Sequence, residues 1–384
     1  MKFEFAAPGR ILFGEGQLAA AGDIAKAAGR HPLVVVGRDA SRASRLLALL
    51  QAQSLAITTY SVPGEPELET VRQGVAAARS AGCDFVIGMG GGSVIDAGKA
   101  IAAMLRNEGD LLEYVEVIGR GKPLAHSSAA YVAIPTTAGT GSEATRNAVL
   151  ASPEHRVKVS LRSASMIPGV ALVDPELTYD LPPVITASTG LDALTQLIEP
   201  YVCARANPMT DSICVEGIRR AAAALPAAFR NGADRAARRD MALASLFGGL
   251  ALANAGLGAV HGFAGPLGGM FPAPHGALCA ALLPHVMAAN IAALRARRPD
   301  HPSLRRYEEV ARLLTGNPAA GADAGVEWVR QLVADLNIAP LRNYGIDAGH
   351  TQDIIRKAAQ ASSMKANPIE LTEEELAGIL GKAI

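Results

Sequence analysis

Short runs of aliphatic and β-branched residues recur through the first half of the chain, separated by stretches whose apolar positions follow helical spacing. Residues 33–36 (Leu-Val-Val-Val), 57–62, 84–88 and 131–134 are expected strands, and 170–173 adds another. Residues 67–81 and 93–105 carry the helical pattern. Strands that alternate with helices build βαβ units around a parallel sheet. Beyond about Leu181 the pattern changes. Pro182-Pro183 opens a series of long Ala/Leu-rich helical segments with few β-branched runs. Asn207-Pro208 has the form of a helix start, an N-cap followed by proline in the first turn. The chain therefore divides into an α/β part, residues 1–180, and an all-helical part, residues 181–384.

Two domains are the natural expectation for 384 residues. Apolar residues make up 49% and charged ones 19%, enough for a sizeable core and against disorder. Lys plus Arg and Asp plus Glu are 36 each, so no net field attracts nucleic acid or an acidic membrane. Residues 241–294 contain no Asp, Glu, Lys or Arg, which invites a membrane reading. Nine glycines, four prolines and three histidines interrupt that run, and buried core helices fit it better. The first residues lack the apolar core of a signal peptide. Cys83, Cys203, Cys214 and Cys279 have no paired spacing, as for isolated thiols in a reducing cytoplasm.

Residues 85–99 read as a strand, a glycine turn and a helix. Gly90, Gly91 and Gly92 would let the backbone approach a pyrophosphate, with Ser93 adding a hydroxyl at the helix start. The spacing is not Gly-x-Gly-x-x-Gly, so a plain tight turn is the other reading. A second loop, Pro135-Thr-Thr-Ala-Gly-Thr-Gly-Ser-Glu143, follows an expected strand, where ligands of parallel sheets bind.

Asp192 and Gln196 are four apart in a helical segment and share a face. With His261 and His275 from two other segments they form a candidate metal set, and Asp-His-His alone suffices for a catalytic zinc or iron site. Either histidine by itself reads rather as a satisfied core residue. A Gln carbonyl is a weak neutral ligand. Arg146, Asn147, Phe263 and Cys279 lie near these motifs and are candidates for lining a substrate pocket.

In this combination and order the motifs resemble the iron-containing (group III) alcohol dehydrogenase family over essentially the whole chain. The matching pieces are Pro8-Gly-Arg-Ile-Leu-Phe-Gly-Glu-Gly16, Gly90-Gly-Gly-Ser-Val-Ile-Asp96 with Lys99, Thr136-Thr-Ala-Gly-Thr-Gly-Ser-Glu143, Val173-Asp-Pro175, Gly190-Leu-Asp-Ala-Leu194 and the paired histidines. The resemblance implies a Rossmann-like nucleotide-binding domain followed by a helical domain, with the active site in the cleft between them. It implies NAD or NADP, a divalent metal, a small alcohol or carbonyl substrate, and a homodimer or larger homo-oligomer. Gly91, Gly92 and Ser93 would hold the pyrophosphate, within a motif that runs on to Asp96. Thr136, Thr137 and Thr140 would line the nicotinamide side, in the loop that includes Ser142, with Lys158 near the ribose. The metal would sit at Asp192, position 196, His261 and His275, and Asp192, His261 and His275 would carry the catalysis.

The chain departs from the family at three places. Gln196 stands where a histidine is usual, which weakens the case for iron and favours zinc or weak binding. Gly265 stands where a second histidine often serves in proton relay. After Val36, Gly37-Arg38-Asp39 puts Arg38 in the slot where many members place an Asp, and Arg38 and Arg42 read equally as acceptors of a 2′-phosphate or as two solvated arginines at a helix start. Three other readings accompany the dehydrogenase: a metal-independent reductase of the maleylacetate reductase type, a dehydroquinate-synthase-like lyase, and a non-catalytic cofactor-binding protein.

Overall fold

A parallel strand covered on both faces needs a continuous apolar run. Pro32-Leu-Val-Val-Val36 supplies one, and every residue of it is buried. In the computed structural model, which describes residues 2–384, this run is strand β2 (Pro32–Val36) of a six-stranded sheet. The others are β1 (Arg10–Phe13), β3 (Thr58–Ser61), β4 (Phe85–Gly90), β5 (Tyr131–Pro135) and β8 (Val170–Val173). Their order is β1-β8-β5-β4-β2-β3, and all neighbours are parallel. The connecting helices are α1 (Ala21–Ala28), α2 (Ser44–Ala52), α3 (Leu68–Ala81) and α4 (Gly92–Leu105).

All the strands expected from the sequence are present, and three more are. β1 is an edge strand of four residues, half exposed and opened by Arg10, so its apolar run is only three residues long. β6 (Asn147–Ser152) and β7 (Val157–Arg162) form a separate antiparallel hairpin, buried on alternate residues. Residues 3–5 are in no strand of this chain.

The α/β unit comprises Ala7–Thr137 and Gly141–Tyr179. The helical unit comprises Asp180–Ile384 together with the residues up to Ala6 and the three-residue excursion Ala138–Thr140. Asn254 accounts for the first of these additions. Its Oδ1 accepts the Ala6 amide at 2.6 Å and its Nδ2 donates to the Ala6 carbonyl at 2.8 Å.

Among the described residues the helical unit contains nine α-helices: α5 (Pro183–Val202), α6 (Pro208–Arg230), α7 (Arg235–Asn254), α8 (Ala259–Met270), α9 (His275–Arg297), α10 (Pro302–Thr315), α11 (Ala322–Asp335), α12 (Thr351–Gln360) and α13 (Glu373–Ala383). Asn207 caps α6 in a reciprocal capping box with Thr210. α5 and α9 are buried on nearly every side, which is why neither shows a polar stripe. α9 is long and apolar enough to cross a membrane, but 78% of its apolar window lies inside the unit, as for a core helix. The four cysteines are buried and unpaired.

Candidate metal and cofactor site

The helical unit brings three of the four expected metal residues, Asp192, His261 and His275, together. Asp192 and Gln196 lie one turn apart on α5, at 1% and 2% exposure. His261 is on α8 and His275 opens α9. A Cβ at position 276 would stand 2.4 Å from the Ser188 carbonyl oxygen of α5. The start of α9 therefore reaches α5 only because residue 276 is glycine.

Glu199, two turns beyond Asp192 on α5, controls His261. One of its carboxylate oxygens accepts the Val260 amide at 2.7 Å, and the other lies 2.7 Å from His261 Nδ1. A carboxylate can only accept, so Nδ1 carries a hydrogen, and when the ring is neutral Nε2 keeps its lone pair. Sequence reasoning did not single out Glu199. Its spacing of seven from Asp192, on the same helix face, was the available signal.

His261 Nε2 and His275 Nε2 lie 3.4 and 3.9 Å from Asp192 Oδ1. Asp192 Oδ1 and Gln196 Oε1 are buried without a hydrogen-bond partner. Leaving such atoms unsatisfied costs about 1–3 kcal/mol each, more when charged. A divalent cation held by Asp192 Oδ1 and the two imidazoles removes that cost for the carboxylate, so Asp192, His261 and His275 fit a metal. Burial pushes the Asp192 carboxyl up, but the histidines outweigh it and hold it below its ordinary range. Burial opposes charge on His261, yet the Cys279 sulfur and the Asp192 and Glu199 carboxylates raise it well above the usual imidazole value.

Cys279, one turn along α9 from His275, joins this group. Its Sγ lies 3.6 Å from His275 Nε2 and 3.8 Å from His261 Nε2. Burial pushes its thiol up to about 12. Phe263 is fully buried in the helical core, so it is packing rather than pocket lining. A Cβ on Gly265 would meet nothing within 4 Å, so that position is open.

In the α/β unit the register pairs Val36 with Met89 and Gly90 with Pro135. Gly37, Gly91 and Thr136 thus stand at the carboxyl ends of three adjacent strands, where parallel sheets bind ligands. The Thr136 amide donates to the Gly90 carbonyl at 2.9 Å, and a Cβ on Gly91 would touch Thr137 at 3.4 Å. Gly91 caps α4, so Gly92 and Ser93 supply its leading amides, a place for an anion.

Other expected cofactor residues are held by protein partners. Asp96 accepts the Ser142 hydroxyl and the Val149 amide, the latter at 3.0 Å, and pairs with Lys99 at 3.3 Å. Lys158 pairs with Glu65 at 2.5 Å. The Asp39 carboxylate accepts the Ser41 amide at 3.0 Å and its hydroxyl at 2.5 Å, capping a short turn. Thr140 belongs to the helical unit, and Gly139 is packed there on α5, where a Cβ would stand 2.6 Å from that of Thr189.

Comparison with known proteins gives matches over both units. Residues 8–175 match the family model described as iron-containing alcohol dehydrogenase, and residues 186–384 match its C-terminal counterpart. "Alcohol dehydrogenase 4" of Schizosaccharomyces pombe is 35% identical over 99% of this chain and 89% of that protein. A solved 1,3-propanediol oxidoreductase superposes with a TM-score of 0.91 at 32% identity, covering both chains completely. A sulfoacetaldehyde reductase from Bifidobacterium kashiwanohense, solved with NAD+, superposes with a TM-score of 0.87 at 29% identity, covering 100% of this chain and 99% of that one. With these matches spanning both units, the chain belongs to the iron-containing alcohol dehydrogenase family of NAD(P)-linked, metal-using oxidoreductases.

Proposed function

We propose that this chain interconverts a small alcohol and its aldehyde or ketone, with Asp192, His261 and His275 holding a divalent ion and Gln196 beside them. The orphaned Asp192 Oδ1, a buried carboxylate oxygen facing two imidazoles, carries the reading. A bound ion supplies Lewis acidity toward the substrate oxygen, and a bound nicotinamide supplies or accepts the hydride.

The chain's own residues do the rest. Asp192 contributes the negative charge that draws a cation into an apolar interior. Glu199 fixes the tautomer of His261 so that Nε2 can ligate. His275, about a third exposed, is the most open member of the set and marks the side from which substrate arrives. Gly265 offers no proton-carrying group at its position on α8.

A metal-independent reductase is not favoured, because it leaves Asp192 Oδ1 without a hydrogen-bond partner. A lyase is not favoured by the family models that match. Protein stripped of metal by a chelator should lose nicotinamide oxidation with small aldehydes and regain it when zinc or iron is returned. Full turnover in metal-free protein, verified by mass spectrometry, would sink the reading.

Arg38 and Arg42 support a preference for NADP(H). Asp39, the other group at the end of β2, is occupied with Ser41, and an arginine there accommodates a 2′-phosphate. Loss of one charge-assisted contact costs about 1.5–3 kcal/mol, or about tenfold and more in affinity. Arg38→Ala should therefore raise the KM for NADPH by about that factor and leave the KM for NADH unchanged. Equal effects on both would assign Arg38 no part in the discrimination. The four buried, unpaired thiols suit a reducing compartment such as the cytoplasm. As the resemblance implies, the working form is a homodimer or larger, which light scattering tests.

A further inference from the structure

We propose that Cys279, rather than Gln196, supplies the fourth protein ligand, making the metal site Asp192, His261, His275 and Cys279. The inference rests on the metal-dependent reading above and deepens it. α9 presents His275 and Cys279 four residues apart on one face, as α5 presents Asp192 and Gln196. One ligand atom from each of Asp192, His261, His275 and Cys279 lies within 4.8 Å of all the others.

Four of the six separations are close to the edges of a coordination tetrahedron. With metal–nitrogen and metal–oxygen bonds of about 2.1 Å and a metal–sulfur bond of about 2.3 Å, tetrahedral edges are about 3.6 Å for N···S and about 3.4 Å for N···O. Sγ stands 3.6 and 3.8 Å from the two imidazole nitrogens, and Asp192 Oδ1 stands 3.4 Å from His261 Nε2 and 3.9 Å from that of His275. A thiol hydrogen bond accounts for less. One S–H carries one proton, which serves one of two nearly equidistant nitrogens and leaves Asp192 Oδ1 orphaned.

Charge points the same way. Asp, Gln and two His leave one positive charge on a divalent ion in a buried site. Asp and Cys thiolate together neutralise it, as the two thiolates of a Cys2His catalytic zinc site do. On binding, the Cys279 S–H bond breaks, sulfur keeps the electron pair and forms the bond to the metal, and the proton leaves to solvent. The Gln196 amide oxygen is a neutral, weak donor by comparison. A thiolate ligand also moves the preference from iron toward zinc and its spectroscopic stand-in, cobalt.

The test is Co(II) loading of the full-length reduced protein, with absorption spectra and metal counted by mass spectrometry, for wild type, Cys279→Ser and Gln196→Ala. We expect one cobalt per chain and a thiolate-to-cobalt charge-transfer band in the near ultraviolet for wild type. The band should vanish in Cys279→Ser and persist in Gln196→Ala. Stoichiometric cobalt without the band, or a band that survives in Cys279→Ser, overturns the Cys279 assignment while leaving the metal reading intact. No cobalt, zinc or iron bound by wild type overturns both. X-ray absorption at the zinc edge of the wild-type protein needs no variant to fold. One sulfur neighbour at about 2.3 Å is expected there, and nitrogen and oxygen neighbours alone reject the ligand.

Discussion

Glu199 is a positioning residue: it sets which imidazole nitrogen of His261 is available to a ligand. It accepts two hydrogen bonds, from the Val260 amide and from His261 Nδ1. A glutamine there keeps one acceptor and turns an NH2 toward one of these partners. The Val260 amide can only donate, so the glutamine oxygen stays with it and the NH2 faces the ring. His261 Nδ1 must then accept, its hydrogen moves to Nε2, and the lone pair facing Asp192 is lost. Glu199→Gln should weaken metal binding by about 10–100-fold, the cost typical of removing a carboxylate behind a ligating histidine. Competition against a chromophoric chelator measures it, and circular dichroism checks that the fold is retained. Unchanged affinity would mean that His261 does not ligate through Nε2.

Two glycines on adjoining helices make opposite predictions. Gly276 lies where α9 meets α5, and its Cβ would press on backbone, the Ser188 carbonyl, at 2.4 Å. Backbone cannot rotate aside, so Gly276→Ala should cost about 1–3 kcal/mol by forcing the helices apart, and should displace His275 from Asp192. Gly265 on α8 faces open space. Gly265→Ala should instead raise stability by up to about 1 kcal/mol through helix propensity. Urea midpoints of the two variants check the pair, and a shift of the same sign in both would contradict the packing argument. The same contrast explains what the sequence disclosed. β2 and β4 were legible because burial on both faces demands continuous apolar runs, whereas β1, half exposed at the sheet edge and opened by Arg10, carries only a three-residue one. Asp192 with Gln196 was legible because four-residue spacing maps to one helix face. The break between α7 and α8 was not, because residues 241–294 contain no charge to outline a polar side. Asp96 and Ser142 meet across 46 residues, and no local pattern records that they bind each other. Cys279 was readable only as a neighbour of the motif until α9 turned it toward the histidines.

The α/β unit holds charge in its interior, and that charge sets how the stability of the molecule varies with pH. Glu143, at 2% exposure, is raised by burial from 4.5 to about 7, and its attraction to Lys99 only partly offsets this. Below pH 4.5 the carboxyl is protonated in both folded and unfolded chains and costs nothing. Between 4.5 and about 7 the unfolded chain ionises first, so stability falls as pH rises, and the loss levels off above about pH 7. Its ceiling is about 3 kcal/mol, because each tenfold change in a proton's affinity is worth about 1.4 kcal/mol. Asp192, held below its ordinary value, acts in a separate window: its contribution is present above about pH 4 and lost in acid. Glu143→Gln removes the first effect without stranding Lys99, which keeps Asp96 at 3.3 Å, the Ser142 carbonyl at 3.0 Å and the Thr145 hydroxyl at 2.8 Å. The urea midpoint of Glu143→Gln should therefore nearly match the wild type at about pH 5 and exceed it at about pH 8, with the gap opening between. A gap independent of pH would show that Glu143 keeps one charge state throughout, and that Lys99 stabilises its carboxylate more than burial opposes it.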